Sequence, residues 1–276
     1  MPADQPYQHR ARKRFGQNFL HDEHVIARIV RAITPGPGQR LIEIGPGQGA
    51  LTAPLLDAAG RLTCIEIDRD LAQLLRERYA GNPGFNLIEG DVLDVDFATL
   101  TNGPASLRIV GNLPYNISTP LLFHLLRHHP LIHDMVFMLQ LEVVQRLAAA
   151  PGTDDYGRLS VMMQYYCEVE MLFKVPPGAF VPQPKVDSAI VRLTPHRPSP
   201  FTAVDTDALA RVVKAAFGQR RKTLRNTLKA VFSPEKLAVL PIDTGLRAEN
   251  LSVTDYVRLA ALIDTGDAPH VADSHD

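Results

Sequence analysis

Acidic or amide side chains stand at the ends of four successive apolar runs of the chain. Glu43 opens the stretch EIGPGQG, and Glu66, Asp91 and Asn112 follow the second, third and fourth runs. In an open α/β sheet, ligands bind beyond the carboxyl ends of the strands, so these side chains would meet at one edge. Carboxylates there can accept from ribose hydroxyls, at Glu66, and from an adenine amino group, at Asp91. The competing interpretation makes Glu66 and Asp91 simple turn caps.

The glycines of the first stretch narrow the type of ligand. Gly45, Gly47 and Gly49 let the backbone turn tightly and approach a bound molecule closely. Their spacing is not GxGxxG and no Lys-Ser/Thr pair follows, so neither a dinucleotide fingerprint nor a phosphate loop is indicated. Neighbouring carboxylates repel phosphates and suit a cationic nucleoside. We therefore expect S-adenosylmethionine as the cofactor.

The fourth apolar run ends in GNLPYNIS, residues 111–118. Asn and Pro are poor strand residues, and Pro114 has no N–H to donate to a ladder. The simple interpretation is a strand that ends in a turn. The alternative is a reaction site, in which the Asn112 side-chain oxygen and the Pro114 carbonyl accept from the amino group of an adenine. Tyr115 would offer a face on which that base can stack.

Apolar runs that alternate with helical periodicity would position these groups. The runs are continuously apolar, which is typical of parallel strands buried on both faces. We predict strands at residues 40–44, 62–67, 85–89, 107–111 and 135–140, and an antiparallel hairpin of 169–175 with 188–193 at the sheet edge. We predict helices at 22–33, 50–59, 69–80, 119–129, 206–217, 219–231, 234–239 and 252–263. The predicted fold class is α/β, a Rossmann-like sheet with helices on both faces and a small C-terminal all-helical domain.

This pattern divides the chain. We expect a disordered basic tail at 1–13, a catalytic domain at 14–200, a helical domain at 201–265 and a disordered tail at 266–276. Lysine and arginine are dense between residues 207 and 229, and the RNA-binding candidates there are Arg220, Arg221, Lys222 and Arg225. Such local density in a chain of net charge −1 indicates a polyanion partner. The alternative is a solvated helix face.

Several classes of function are disfavoured by the composition. No apolar run approaches the length of a membrane span, and the N-terminal residues lack the apolar core of a secretory signal. Cys64 and Cys167 lie in apolar stretches, which predicts buried free thiols in a reducing compartment. No Cys/His spacing indicates zinc. We expect a cytoplasmic monomer without membrane or metal partners.

Six ordered motifs resemble one family. They are RFGQNFL (14–20), EIGPGQGALT (43–52), EID (66–68), GDVL (90–93), GNLPYNIS (111–118) and VPQPKVDSAIVRL (181–193). Within the class I methyltransferases, they resemble the small-subunit ribosomal RNA adenine dimethyltransferases over residues 10–262. The resemblance implies methylation of N6, twice each, on two adjacent adenosines in a hairpin loop near the 3′ end of that RNA, with the RNA or a precursor 30S particle as partner.

The resemblance also implies roles for individual residues. Its cofactor contacts fall on Asn18, Leu20, Gly45, Glu66, Asp91 and Asn112. Phe180 would cover the second face of the target base, although a core aromatic is the alternative. Gln17 would either help to close the segment over the cofactor or be an ordinary loop residue.

Alternatives stay open at this point. A large-subunit rRNA methyltransferase of the antibiotic-resistance type shares the fold and a similar turn. DNA adenine and glutamine methyltransferases have related turns. A non-enzymatic ribosome-assembly or RNA-binding factor would use the same pocket only to sense the cofactor.

Overall fold

The computed structural model describes residues 17–114, 117–219 and 221–263. The chain forms two compact units, the first of Met1–Gln145 and Tyr166–Pro195 and the second of Arg146–Tyr165 and His196–Asp276. Both predicted disordered tails, 1–13 and 266–276, lie outside the described residues.

The first unit is built on a mixed sheet. Its strands are β1 Phe19–Leu20, β2 Arg40–Ile44, β3 Leu62–Glu66, β4 Phe85–Glu89, β5 Leu107–Asn112, β6 Ile132–Gln140, β7 Cys167–Val175, β8 Phe180–Val181 and β9 Ser188–Pro195. Seven of them form one sheet in the order β4-β3-β2-β5-β6-β9-β7, and β1 pairs with β8. The pairs from β4 to β6 are parallel, and β9 is antiparallel to both β6 and β7. The predicted parallel sheet with an antiparallel edge is therefore confirmed.

The helices of this region are α1 Glu23–Ile33, α2 Thr52–Ala59, α3 Arg69–Arg78, α4 Ser118–Arg127 and α5 Leu141–Ala148. Two arginines of the sheet bind the last carbonyls of α1. Arg108 donates to the carbonyls of Ile33 and Thr34 at 2.7 and 3.1 Å. Arg192 donates to the Ala32 carbonyl at 2.5 Å. These carbonyls have no partner within the helix, so the arginines satisfy them and fix α1 against the sheet.

The second unit contains α6 Arg158–Tyr166, α7 Thr206–Phe217, α8 Leu224–Thr227, α9 Pro234–Ala238 and α10 Val253–Ala260. A capping box opens α10, with Ser252 and Asp255 exchanging side-chain to backbone hydrogen bonds. The predicted helix at 219–231 is wrong. Thr223 is extended and pairs with Arg247, and Leu224 donates to Leu246, so only α8 and a 3₁₀ turn at Leu228–Ala230 form there.

The second unit also includes a segment that the predicted boundary at residue 200 assigns to the catalytic domain. Residues 146–165 pack with the C-terminal helices. The Gln164 amide donates to the Leu147 carbonyl at 2.9 Å, and the Gly152 N–H donates to Glu249 at 2.7 Å. Tyr156 packs edge-on against Phe217. These contacts join sequence-distant segments, which local patterns do not reveal.

Candidate active site

A pocket lies at the carboxyl edge of the parallel strands, within the first unit. Its lining includes all six predicted cofactor residues, Asn18, Leu20, Gly45, Glu66, Asp91 and Asn112, together with Pro114. Gly45 follows β2, Glu66 ends β3, Asp91 follows β4 and Asn112 ends β5. The parallel topology therefore gathers Gly45, Glu66, Asp91 and Asn112 at one edge of the sheet.

The glycine loop forms a close-fitting floor. Gly45 has φ +63° and Gly47 has φ +59°, a left-handed conformation that only glycine adopts at little cost. A Cβ atom on Gly47 would lie 3.4 Å from the ring of Phe19. The N–H of Gly45 donates to the Ile65 carbonyl at 2.9 Å and ties the loop to β3. Because these glycines carry no side chain, a ligand can approach the backbone of the loop closely.

Glu66 is held by backbone donors. One carboxylate oxygen accepts from the Gly47 N–H at 3.1 Å, and the other accepts from the Asp68 N–H at 2.9 Å. Burial raises the pKa of the Glu66 carboxyl, and these donors oppose that rise. The side chain is 4% exposed, so its direction is fixed. Each oxygen keeps a further lone pair for a diol.

Glu43 is a pocket residue to which the sequence assigned no separate role. Its carboxylate accepts from the Thr52 hydroxyl at 2.7 Å and from the Cys64 thiol at 3.5 Å. Burial raises the pKa of Glu43 to about 7, the two donors lower it, and the nearby Glu66 adds to the rise. The sequence position of Glu43 could have indicated this, because it stands two residues before the first loop glycine.

The prediction of buried free thiols is confirmed for Cys64 and Cys167.

Asp91 combines the two interpretations given to it. Its carboxylate accepts from the Leu93 N–H at 2.9 Å and so caps the 3₁₀ turn Val92–Asp94. It also lines the pocket. A carboxylate has about four lone-pair sites, so the cap leaves capacity for an amino group of a ligand.

Three bonds shape the turn after β5. The Asn112 side-chain amide donates to the Asn18 carbonyl at 3.2 Å. The Leu113 N–H donates to Met138 at 3.1 Å, and the Pro114 carbonyl accepts from the Ile117 N–H at 3.2 Å. The Asn112 oxygen therefore points away from Asn18, and the Pro114 carbonyl is held in place with a second lone pair available.

Of the two aromatic residues predicted to stack on the target base, the structure describes only Phe180. Phe180 is 1% exposed, pairs with Leu20 across β1 and β8, and belongs to the hydrophobic core. Its ring does not line the pocket and offers no open face to a base in this conformation. The reason is the β1–β8 pairing, which turns Phe180 inward. Tyr115 lies outside the described residues.

The charged side chains that line the pocket all have the same sign. Among the described residues that line it, Glu43, Glu66 and Asp91 are acidic and none is Lys, Arg or His. A phosphate would find no cation there, whereas a sulfonium or ammonium would be favoured. The carboxylate acceptors and the glycine floor therefore fit S-adenosylmethionine.

The basic candidates of the second unit are solvent-exposed where they are described. Arg221, Lys222 and Arg225 are exposed, and none of the three forms an ion pair with another described residue. Arg220 lies outside the described residues. Because the predicted helix is absent, these charges lie on a turn and a short helix rather than along one helix face.

Within the described ranges, no helix is long and apolar enough to span a membrane, and no group of three or more His, Cys, Asp or Glu side chains could hold a metal ion.

Comparisons with known proteins agree on a family. The sequence model of the ribosomal RNA adenine dimethylase family matches residues 8–265. The chain is 61% identical over 254 residues to ribosomal RNA small subunit methyltransferase A of Pseudomonas aeruginosa, covering 92% of this chain and 95% of the relative. It is 60% identical over 254 residues to the protein of the same name from Pseudomonas fluorescens, covering 92% and 94%.

Solved structures show the same fold. A dimethyladenosine transferase from Plasmodium falciparum superimposes with a TM-score of 0.73 at 28% identity, covering 87% of this chain and 95% of its own. The 23S rRNA methyltransferase ErmE superimposes with a TM-score of 0.66 at 30% identity, covering 88% and 98%. The predicted class I methyltransferase fold is thereby confirmed, and the chain belongs to the ribosomal RNA adenine dimethylase family.

Proposed function

We propose that this protein transfers methyl groups from S-adenosylmethionine to N6 of adenosines in small-subunit ribosomal RNA, giving dimethyladenosine. The observation that supports this most strongly is the meeting of Glu66, Asp91 and the Asn112–Pro114 turn in one anionic pocket. The family membership supports the same reaction. The finer address, two adjacent adenosines in the 3′-terminal hairpin loop, is part of the proposal.

Each pocket residue has a distinct task in cofactor binding. Glu66 accepts from the two ribose hydroxyls and Asp91 accepts from the adenine amino group. The backbone at Gly45 lies against the bound cofactor. Residues 17–20 cover the cofactor, and Asn18 and Leu20 contact it. When bound, S-adenosylmethionine supplies a methyl group activated by a good leaving group.

The enzyme must make the target amino group a better nucleophile, because the N6 lone pair is delocalised into the adenine ring. The Asn112 oxygen and the Pro114 carbonyl accept from its two N–H bonds. These acceptors favour the pyramidal nitrogen of the transition state over the planar ground state, which is differential binding. As N6 bonds to the methyl carbon it becomes acidic, so its proton can leave to solvent without a strong base.

Geometry supplies the remaining assistance. The Asn112 side chain is oriented by Asn18, and the Pro114 carbonyl is fixed by Ile117. Holding N6 in line with the methyl group is worth several kcal/mol on general grounds. Stacking on Tyr115 would add roughly 1–3 kcal/mol. A stacking role for Phe180 would require it to leave the core.

The choice of small-subunit over large-subunit RNA has its own support. The Pseudomonas relatives named for the small subunit are 60–61% identical, whereas ErmE is 30% identical. The exposed cations Arg221, Lys222 and Arg225 would contact RNA phosphates. The partner is the RNA or a precursor 30S particle, and the place of action is the cytoplasm, with the protein acting as a monomer.

Primer extension on rRNA tests the proposal. RNA from a strain that lacks this gene should lose the strong stop at the small-subunit 3′ hairpin, and the purified protein should restore that stop on small-subunit RNA. Restoration only on large-subunit RNA would establish the resistance-type alternative. No methylation of either RNA, together with tight RNA binding, would establish a non-catalytic factor and overturn the proposal.

A further inference from the structure

A chain of hydrogen bonds connects the cofactor side of the pocket to its reaction side. Glu66 accepts from the Asp68 N–H at 2.9 Å, and the Asp68 carboxylate accepts from the Gln17 side-chain amide at 3.1 Å. One residue further on, the Asn18 carbonyl accepts from the Asn112 side-chain amide at 3.2 Å. Gln17 therefore contacts Asp68, whose N–H donates to the group proposed to bind ribose, and Asn18 contacts Asn112, the group proposed to activate the adenine.

Asp68 is a rigid anchor for this chain. It is 1% exposed, and its other carboxylate oxygen accepts from the Asp70 N–H at 3.1 Å, which caps α3. A side chain that caps a helix while buried has little freedom to move. The oxygen that accepts from Gln17 consequently has a defined position relative to Glu66.

Gln17 and Asn18 directly precede a short strand. β1 contains only Phe19 and Leu20, so Gln17 and Asn18 lie beyond the end of the β1–β8 ladder. The Gln17–Asp68 bond ties residues 17 and 18 to the start of α3. It thereby sets where the Asn18 carbonyl lies, and this carbonyl selects which way the Asn112 amide faces.

We infer that Gln17 and Asp68 are positioning residues, which orient the Asn112 side chain for methyl transfer through the Asn18 carbonyl. This inference rests on the proposed function, because it assigns the oriented oxygen of Asn112 to the target amino group. Gln17 need not contact substrate or cofactor in this role. The ordering of residues 17–20 over the cofactor would then also orient the Asn112 side chain for the reaction.

A donor–acceptor exchange tests the inference. Gln17→Glu places two carboxylates against each other, so it should break the bond. Asp68→Asn still caps α3 and can donate to a reversed Gln17 amide, so it should be mild. The pair Gln17→Glu with Asp68→Asn restores one hydrogen bond of opposite polarity. Gln73→Glu is the matched control, because Gln73 donates to Glu77 at 2.6 Å on the exposed face of α3.

The expected result is a fall in kcat at saturating cofactor and RNA of on the order of 10-fold for Gln17→Glu, and recovery in the exchanged pair to within about 3-fold. Hydrogen exchange in the cofactor-free protein should accelerate in a peptide over residues 17–21 for Gln17→Glu and slow again in the pair. Gln73→Glu should stay close to the unmodified protein in both readouts, and Asp68→Asn should lie between Gln73→Glu and Gln17→Glu.

Three results would overturn the inference. These are an unchanged kcat in Gln17→Glu, a raised KM for cofactor with kcat preserved, and an exchanged pair no better than Gln17→Glu alone. An unmodified protein without methylation of rRNA would instead refute the proposed function. In that case hydrogen exchange in these variants still decides whether Gln17 and Asp68 hold the segment.

Discussion

At the scale of single residues, the proposed chemistry depends most directly on the acceptor oxygen of Asn112. We expect Asn112→Ala to lower kcat roughly 100-fold, by analogy with the loss of one preorganised hydrogen-bonding group from an active site. RNA affinity should change little, because the phosphate contacts lie elsewhere. Steady-state kinetics with labelled methyl donor give the comparison.

Asn102→Ala is a suitable control for that variant, since Asn102 is an exposed loop residue of the same type. Both variants should unfold at temperatures close to that of the unmodified protein. An Asn112→Ala protein that retains full kcat would remove Asn112 from the reaction.

Glu43 gives a pH prediction. Its folded-state pKa is about 7, against an ordinary value of 4.5, so the folded protein binds the proton more tightly than the unfolded chain. Stability therefore falls as pH rises from 4.5 to 7, by at most about 1.4 kcal/mol per pH unit, and levels off above. We expect Glu43→Gln to lose this dependence in the cofactor-free protein.

Denaturant unfolding of Glu43→Gln and the unmodified protein at several pH values measures that difference. The advantage of Glu43→Gln should grow between about pH 5 and pH 7 and then stay constant. A difference that does not change with pH would mean that Glu43 ionises normally in the fold.

Residue-scale prediction from sequence succeeded where chemistry and strand position coincide. Glu66 and Asp91 were identifiable as pocket residues because a strand end predicts where a side chain faces. The inward position of Phe180 could not be predicted from the sequence, because it depends on pairing with Leu20, which is 160 residues earlier in the chain. The raised pKa of Glu43 was also hidden, since it follows from burial rather than from neighbouring sequence.

At the scale of elements, the spacing between β2 and β5 sets the width of the pocket floor. Gly111 sits where these strands approach, and a Cβ atom there would lie 2.5 Å from the Ile44 carbonyl. We expect Gly111→Ala to cost about 1–3 kcal/mol of unfolding free energy and to weaken cofactor binding, because one of the two strands must shift. Calorimetry of cofactor binding and denaturant unfolding measure the two effects.

Gly178→Ala is the control for this prediction, because nothing lies within 4 Å of its added Cβ atom. Its stability and cofactor affinity should stay near those of the unmodified protein. Equal effects of the two substitutions would contradict the proposed close approach of β2 and β5.

The buried pair of Arg108 and Asp134 joins β5 to β6 with two bonds of 2.7 Å. Burial opposes ionisation of Asp134, but the hydrogen bonds and charge of Arg108 outweigh it and lower the pKa. We expect Asp134→Ala to cost about 3–5 kcal/mol, since it leaves a buried guanidinium charge without its carboxylate. Glu170→Ala, which breaks the more exposed pair with Arg192, should cost less than about 1 kcal/mol.

The same pair predicts behaviour in acid. The folded-state pKa of Asp134 is depressed, so its contribution is present above the unfolded pKa and is lost as pH falls through the folded pKa. Unfolding of Asp134→Ala should therefore depend less on pH in the acid range. An identical acid dependence in both proteins would contradict the assignment of this pair.

Element prediction was reliable for the parallel strands, because burial on both faces requires continuous apolar runs. It missed α5 and α6 and the two-residue strands β1 and β8. It was wrong for residues 219–231, where local helical preference lost to backbone pairing with residues 244–247. The failures at β1, at β8 and at residues 219–231 each involve a partner that is distant in sequence, which local periodicity does not record.

At the scale of the whole molecule, the chain is nearly neutral but its exposed cations are unevenly distributed. The chain has a net charge of −1, yet exposed cations are concentrated at Arg221, Lys222 and Arg225. We expect Arg221→Glu with Lys222→Glu to weaken RNA binding and to flatten its dependence on salt, because fewer counterions are released. Filter binding over a salt series provides the slope.

Lys174→Glu is the control for charge alone, because Lys174 is exposed on β7 in the first unit. It should leave the salt slope unchanged. A salt slope that is the same in all three proteins would refute the RNA-binding assignment of Arg221 and Lys222.

Mass spectrometry of small-subunit RNA fragments, after incubation with the protein and methyl-labelled S-adenosylmethionine, tests the proposed methyl transfer most directly. We predict two labelled methyl groups on each of two adjacent adenosines in the 3′-terminal hairpin, and much slower labelling at the same positions with Asn112→Ala. Label found on large-subunit RNA alone, or no label on either RNA in a substrate that lacks the modification, would contradict it.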